Sequence, residues 1–316
     1  MTRRPHAGVA SLCIHDQAVA FAYVVRRPND RPLLVQAETR PATAKNVEEI
    51  LHQLVSKHRL NRIACTTLLA HNDYKLLITE APEVGANELK SALKWRVKDL
   101  LDMPISEVTL DAFKMPQPPG AQQRSVYVVA GFNKAIASLA KRMEECSANL
   151  VAIDIPELAQ RNIGMLSGFD AQGAAVLSFQ AAGGLITVSK GGELYLSRRI
   201  ATGMDILNAL PKPAGDGAAI QYDARRAAVF DQVVLELQRS LDFYESNFRQ
   251  APIRRLLLAT GCSAVDGLAG YLQSSLGLEV RALDFTEALE CAVPLTDKQQ
   301  SELFFAIGAA LREDAP

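Results

Sequence analysis

A chain of 316 residues is long enough for two domains with real cores. Its 48% hydrophobic and 22% charged content is ordinary for a globular protein in water. A formal net charge of −1 argues against a general nucleic-acid binder, which needs a basic surface to release counterions. Five scattered cysteines, Cys13, Cys65, Cys146, Cys262 and Cys291, include no pair at C-x-x-C spacing. Neither a zinc site nor a disulfide framework is expected, and a reducing cytoplasm fits best. Arg3 and Arg4 precede an apolar run from Ala7 to Ile14 that His15-Asp16 interrupts. The run is too short for a membrane span, lacks a clear cleavage signal and reads as a first β-strand. No other stretch reaches about 18 apolar residues, so work at a membrane would need another protein to hold the chain there.

Val9 to Ile14 and Ala18 to Val25 read as a β-hairpin, and Leu33 to Thr39 as a third strand. Val47 to His58 carries Val47, Ile50, Leu51, Leu54 and Val55 at helical spacing. Ile63 to Ala70 and Lys75 to Thr79 are further strands. Asn87 to Leu101 is a helix with the apolar face Leu89, Leu93, Val97, Leu100 and Leu101. Trp95, the only tryptophan, lies on the side of the helix roughly opposite that face at ~100° per residue, with Asp99 and Asp102 on its side. Two readings of it stand: packing against a neighbouring strand, since large aromatics are mostly buried, or anchoring a partner. Glu107 to Phe113 is a strand. The proline-rich stretch from Met115 to Gln123 reads as an exposed loop. Ser125 to Ala130 is a strand, Asn133 to Cys146 a helix and Leu150 to Ile155 a strand. The order of elements across 75–155 suggests a small α+β unit of its own.

Pro156 to Leu166 is helical. Ala174 to Phe179, Leu185 to Ser189 and Glu193 to Arg199 form a meander whose last turn is Lys190-Gly191-Gly192. Met204 to Leu210 is a short helix and Pro211 to Gly217 a loop. The meanders at 9–39 and 174–199 are alike, three strands and then a helix, which suggests an internal duplication. Phe230 to Phe248 is a long amphipathic helix that Pro252 bars from continuing. Ile253 to Ala259, with its Leu256-Leu257-Leu258 run, reads as a strand covered on both sides. Thr260-Gly261-Cys262-Ser263 then turns into a helix that Gly277 ends. Leu278 to Leu283 is the next strand, and Leu303 to Leu311 closes the chain as an apolar helix containing Gly308. A strand, a glycine turn and a helix N-terminus is where open α/β folds bind phosphate.

Three blocks carry a resemblance. They are Leu93 to Pro104 followed by Asp111-Ala112-Phe113, with a W-x-x-K-D-L-x-D-x-P pattern; Glu236 to Tyr244 followed by Ala251-Pro252-Ile253; and Phe305 to Glu313. With the strand order, they make the chain resemble the MshI and PilM family of type IV (MSHA-type) pilus biogenesis proteins, within the actin-like superfamily. The resemblance implies an α/β fold of two ribonuclease-H-like, actin-like lobes with an inserted small α+β subdomain, as in PilM and FtsA. Residues 1–75 plus 150–165 would form the first actin-like subdomain, 76–149 the insert and 166–316 the second lobe. It also implies a cytoplasmic scaffold, peripheral to the inner membrane, that binds the cytoplasmic tail of a PilN/MshJ-like inner-membrane protein and meets the assembly motor. The tail would enter a groove between the first subdomain and the insert. The exposed side of the 87–101 helix, with Trp95, Asp99 and Asp102, is the candidate contact.

Nucleotide-binding relatives carry Asp-x-Gly after the first strand of each lobe. The acid positions Mg²⁺ and the glycine lets backbone N–H groups approach phosphate. Here the motif falls on Cys13-Ile14-His15 and Ser178-Phe179-Gln180, so both acids and both glycines are missing. Gly203, Gly261 and Ser263 mark what is left of the cleft. Asp16 and Asp205 are nearby acids, better read as turn and helix-start residues. Without the carboxylates no cofactor is expected, ATP with Mg²⁺ is disfavoured, and the chain reads as a non-enzyme. The five histidines, His6, His15, His52, His58 and His71, show no metal spacing. The alternatives are an actin-like ATPase with atypical phosphate motifs and a GspL-like cytoplasmic secretion component.

Overall fold

Near-continuous apolar runs build the first hairpin, β1 (Val9–His15) with β2 (Ala18–Val25), and β3 (Leu33–Pro41) extends the antiparallel meander. The computed structural model describes residues 8–15, 17–27, 30–121, 123–211 and 223–313, without the side chains of Ala86, Asn87 and Ser263. The expectations for Arg3, Arg4, His6, Asp16, the loop at 212–217 and the Ser263 side chain therefore lie outside the described residues. α1 (Val47–His58) buries its five apolar residues. Glu48 and Glu49 in its first turn and Lys57 and His58 in its last complement the helix dipole. β4 (Ala64–Leu68) then pairs parallel with β1.

After β4 the chain leaves this sheet. β5 (Tyr74–Glu80), α2 (Ala86–Val97), β6 (Val108–Lys114) and β7 (Ser125–Phe132) form a separate antiparallel sheet in the order β5-β7-β6, with α2 on one face. α2 gives way to a 3₁₀ turn at 98–100, so Leu100 is exposed rather than part of the helix's apolar face. Met115 and Pro116, expected in an exposed loop, are buried. Gln117 closes that loop, its carbonyl accepting from Ser125 N at 2.8 Å and its amide donating to Ser125 O at 2.9 Å.

α3 (Asn133–Glu145) returns the chain to β8 (Leu150–Asp154), parallel to β4. A parallel pair needs such a crossover. Met143 and Cys146 accordingly join the core of Leu12, Phe21, Leu51 and Leu54. α3 thus packs on both β7 of the inserted unit and β8 of the first sheet, and joins the two across the expected boundary at 149.

α4 (Pro156–Leu166) leads into a second copy of the plan. β9 (Ala174–Phe179), β10 (Gly184–Lys190) and β11 (Glu193–Ile200) form the meander. α5 (Met204–Asn208) and the long α6 (Ala224–Phe248) follow. β12 (Arg255–Leu258), α7 (Leu268–Leu276) and β13 (Glu279–Ala282) complete the parallel part. The strand orders β3-β2-β1-β4-β8 and β11-β10-β9-β12-β13 are the same topology twice.

The end of the chain departs from expectation. α8 (Phe285–Ala288) leads to β14 (Glu290–Cys291), which pairs with β3, and α9 (Asp297–Ala310) lies over β1 and β2. Residues 290–310 therefore pack on the first sheet, not the second. α9 covers its inner face at Cys13, Ala20, Ala22 and Val24, while α1 and α3 cover the outer face. Burial on both faces is why β1 and β2 read as near-continuous apolar runs. Gly308 lets α9 cross α4 closely: a Cβ there would stand 2.4 Å from the Ala159 carbonyl oxygen.

Candidate functional site

The positions that should hold the two acids are buried and occupied. Cys13 is 1% exposed, and burial pushes its thiol up, so it is neutral at physiological pH. Beside it, Ser11 Oγ donates to the Ala306 carbonyl at 2.6 Å and Thr67 Oγ1 to the Leu12 carbonyl at 2.6 Å. The polar groups at this end of β1 therefore hold α9 and β4. In the second lobe Ser178 is 2% exposed, and its hydroxyl donates to Gln160 Oε1 at 2.6 Å. The Gln160 amide in turn donates to the carbonyls of Val176 at 2.8 Å and Leu185 at 3.1 Å. At the position of the second motif acid there is instead a joint between α4 and the second sheet.

The retained glycines have packing reasons. Gly203 has an ordinary extended backbone, but a Cβ would stand 2.3 Å from the Ala181 carbonyl oxygen. That closeness lets Met204 N donate to Gln180 O at 2.8 Å and Asp205 N to Ala181 O at 3.0 Å. The first N–H groups of α5 are thus already bonded to the β9–β10 turn. Gly261 adopts φ 92°, which favours glycine, and its missing Cβ makes room for Ser301 of α9. The Gly261 turn does not run straight into a helix as expected. A 3₁₀ turn over 262–264, including the Ser263 backbone, intervenes before α7 begins at Leu268. Among the described residues no group of three or more His, Cys, Asp or Glu could hold a metal ion.

A polar joint that no sequence motif marks joins α4, β5 and β11. Glu157 on α4 is 2% exposed. Burial raises its pKa, against the hydrogen bond it accepts from Tyr74 Oη at the start of β5. Arg199 of β11 lies 3.8 Å from the Glu157 carboxylate and 5.2 Å over the Tyr74 ring. Asp154, at the end of β8, is also buried and pairs with Arg312 at 2.6 Å. The available signal was Glu157 itself, a charge beside the apolar stripe of a short helix.

The α2 candidates separate. Leu93 and Val97 are fully buried against the three-stranded sheet, while Trp95 is 78% exposed. The reading in which Trp95 packs against a strand is overturned. Asp99 is exposed about one turn on, whereas Asp102 turns to pair with Lys75. The opposite face of the sheet, with Leu76, Phe113 and Tyr127, packs toward the lobes. Trp95 therefore points away from the lobes. Ile78, 51% exposed at the open edge of β5, shares the lobe-facing side with Leu76. Two cavities lie on outer faces: one of about 540 Å³ beside Arg59, Arg62 and Ser147, and one of about 460 Å³ between α6 and β13.

Solved structures give the context. The chain is similar to one described as the PilM–PilN type IV pilus biogenesis complex, with 21% identity and a TM-score of 0.72 over 97% of this chain and 98% of that one. It is also similar to the cytoplasmic domain of EpsL, described as an inner-membrane component of the type II secretion system of Vibrio cholerae. There the identity is 10% and the TM-score 0.50, over 94% of each chain. No protein-family model matches the sequence, and no curated protein matches it. Two lobes of repeated topology with an inserted unit make this the two-lobed actin-like fold.

Proposed function

We propose that this chain is a non-catalytic actin-like scaffold of a type IV (MSHA-type) pilus assembly platform, related to PilM and MshI. It takes the cytoplasmic tail of a PilN/MshJ-like inner-membrane protein and links it to the assembly motor. It works in the cytoplasm, peripheral to the inner membrane, without Mg-ATP. The observation that carries the reading is the near end-to-end likeness to a chain solved in a PilM–PilN complex. Surface chemistry adds to it. Of seven exposed large hydrophobic side chains among the described residues, four, Ile78, Val84, Trp95 and Leu100, lie on the inserted unit. Ile78 faces the lobes and Trp95 faces away from them, so the insert offers an exposed apolar anchor on each of its two faces. The EpsL likeness favours, as a second reading, the same kind of tether in a secretion system.

The test is a titration of the full chain into a labelled tail peptide of the PilN/MshJ-like protein from the same genome, read by anisotropy. Saturable binding is expected, weakened about tenfold, or 1.4 kcal/mol, by Trp95→Ala or by Ile78→Asp. Loss with Ile78→Asp alone places the tail on the lobe-facing side of the insert, and loss with Trp95→Ala places it on the outer face of α2. No saturable binding up to about 1 mM sinks the proposal.

A further inference from the structure

We propose that the inserted unit is a built-in tether that holds the two lobes closed, the task a ligand performs in a hinged two-lobed protein. The inference is independent of the partner reading above. The insert is rooted in the first lobe, where Leu69, Tyr74 and Ile155 form a buried cluster with Ile136 and Leu139. Its lobe-facing side then reaches β11, the edge strand of the second sheet. Tyr127 Oη donates to the Tyr195 carbonyl at 3.0 Å, and Lys114 pairs with Glu193 at 2.8 Å. Tyr74 lies beneath Arg199 and donates to Glu157, so one phenol touches the insert, α4 and β11.

Aromatic contacts carry the clamp onward. Phe113 stacks on Tyr127 with centroids 5.0 Å apart. Tyr195 meets Tyr244 at 5.5 Å and Phe248 at 5.1 Å, both on α6. The exposed Lys114–Glu193 pair contributes least, because solvent screens it. The buried Tyr127 and Tyr74 contacts contribute most: a buried hydroxyl without its partner is costly. β11 is thus the strand held from both sides, by its own sheet and by the insert.

The test is hydrogen–deuterium exchange by mass spectrometry on the full chain carrying Tyr74→Phe, Lys114→Ala and Tyr127→Phe together. Each phenylalanine keeps the ring and removes one hydrogen bond. Exchange across 193–200 is expected to speed up by about tenfold, while 47–58 in α1 stays unchanged. Unchanged exchange in 193–200, or an equal rise in α1, overturns the tether. The pair Lys114→Ala with Tyr127→Phe is read in the same way if the triple variant does not fold.

Discussion

Glu38 on β3 shows how one side chain ties an element down. Burial opposes its ionisation, but hydrogen bonds from Lys57, His58 and Arg40 outweigh that and bring its pKa to about 2. A carboxylate depressed in the fold stabilises above its unfolded pKa and loses that contribution as pH falls through the folded one. Glu38→Gln should therefore cost about 1 kcal/mol at pH 7, with the difference from the parent shrinking between pH 4.5 and 2. Urea unfolding of both proteins across that range checks it. A difference that does not depend on pH would assign the effect to packing instead. Gly308 and Gly203 are governed by space rather than by backbone freedom. Gly308→Ala would force α9 off α4, and Gly203→Ala would part α5 from the β9–β10 turn. Each is expected to lose about 1–3 kcal/mol in urea unfolding, the usual range for overpacking. An unchanged midpoint would mean that these backbones yield freely.

At the scale of the element, α2 presents its one tryptophan to solvent. Trp95→Ala should leave thermal unfolding within about 0.5 kcal/mol of the parent, since surface substitutions rarely do more. A larger loss would mean the indole is covered by the rest of the chain. Trp95 was legible from helical geometry, because its angle placed it off the apolar face. The start of α9 was also open to reading. Thr296 and Gln299 form a capping box, with Thr296 Oγ1 accepting from Gln299 N and Gln299 Oε1 from Thr296 N. Threonine followed three residues later by glutamine marks such a start, yet the expected helix began at Leu303, where the apolar run begins. Spacing within α2 could not show where its 3₁₀ end would fall, because that depends on how the chain meets β6.

For the whole molecule, the burial of Cys13 and Ser178 bears on nucleotide binding. With 1 mM Mg-ATP and a dissociation constant no tighter than about 1 mM, stabilisation is at most ~0.4 kcal/mol. For a chain of this length the melting temperature should then move by about 1 °C or less, read by differential scanning fluorimetry. A rise of several degrees would show that a nucleotide site persists despite Cys13 and Ser178. The loss of both acids was visible in the sequence, since a carboxylate is present at a motif position or absent from it. What fills the space was not visible: Gln160 and α9 reach it from distant points in the chain.

The sequence by itself determined the local order: strands where apolar residues run unbroken, helices where they recur at 3.6-residue spacing, and two similar meanders. It also determined which residue types stand at the two motif positions, cysteine at 13 and serine at 178, because residue types do not depend on the fold. The tertiary structure alone decided which sheet each element joins. It sent β14 and α9 back to the first sheet, gave α3 to the crossover there, and joined Tyr74, Glu157 and Arg199 at one point. The physical reason is that sheet partners and buried polar joints are chosen by contacts between residues far apart in the chain. Local propensity carries no record of those contacts.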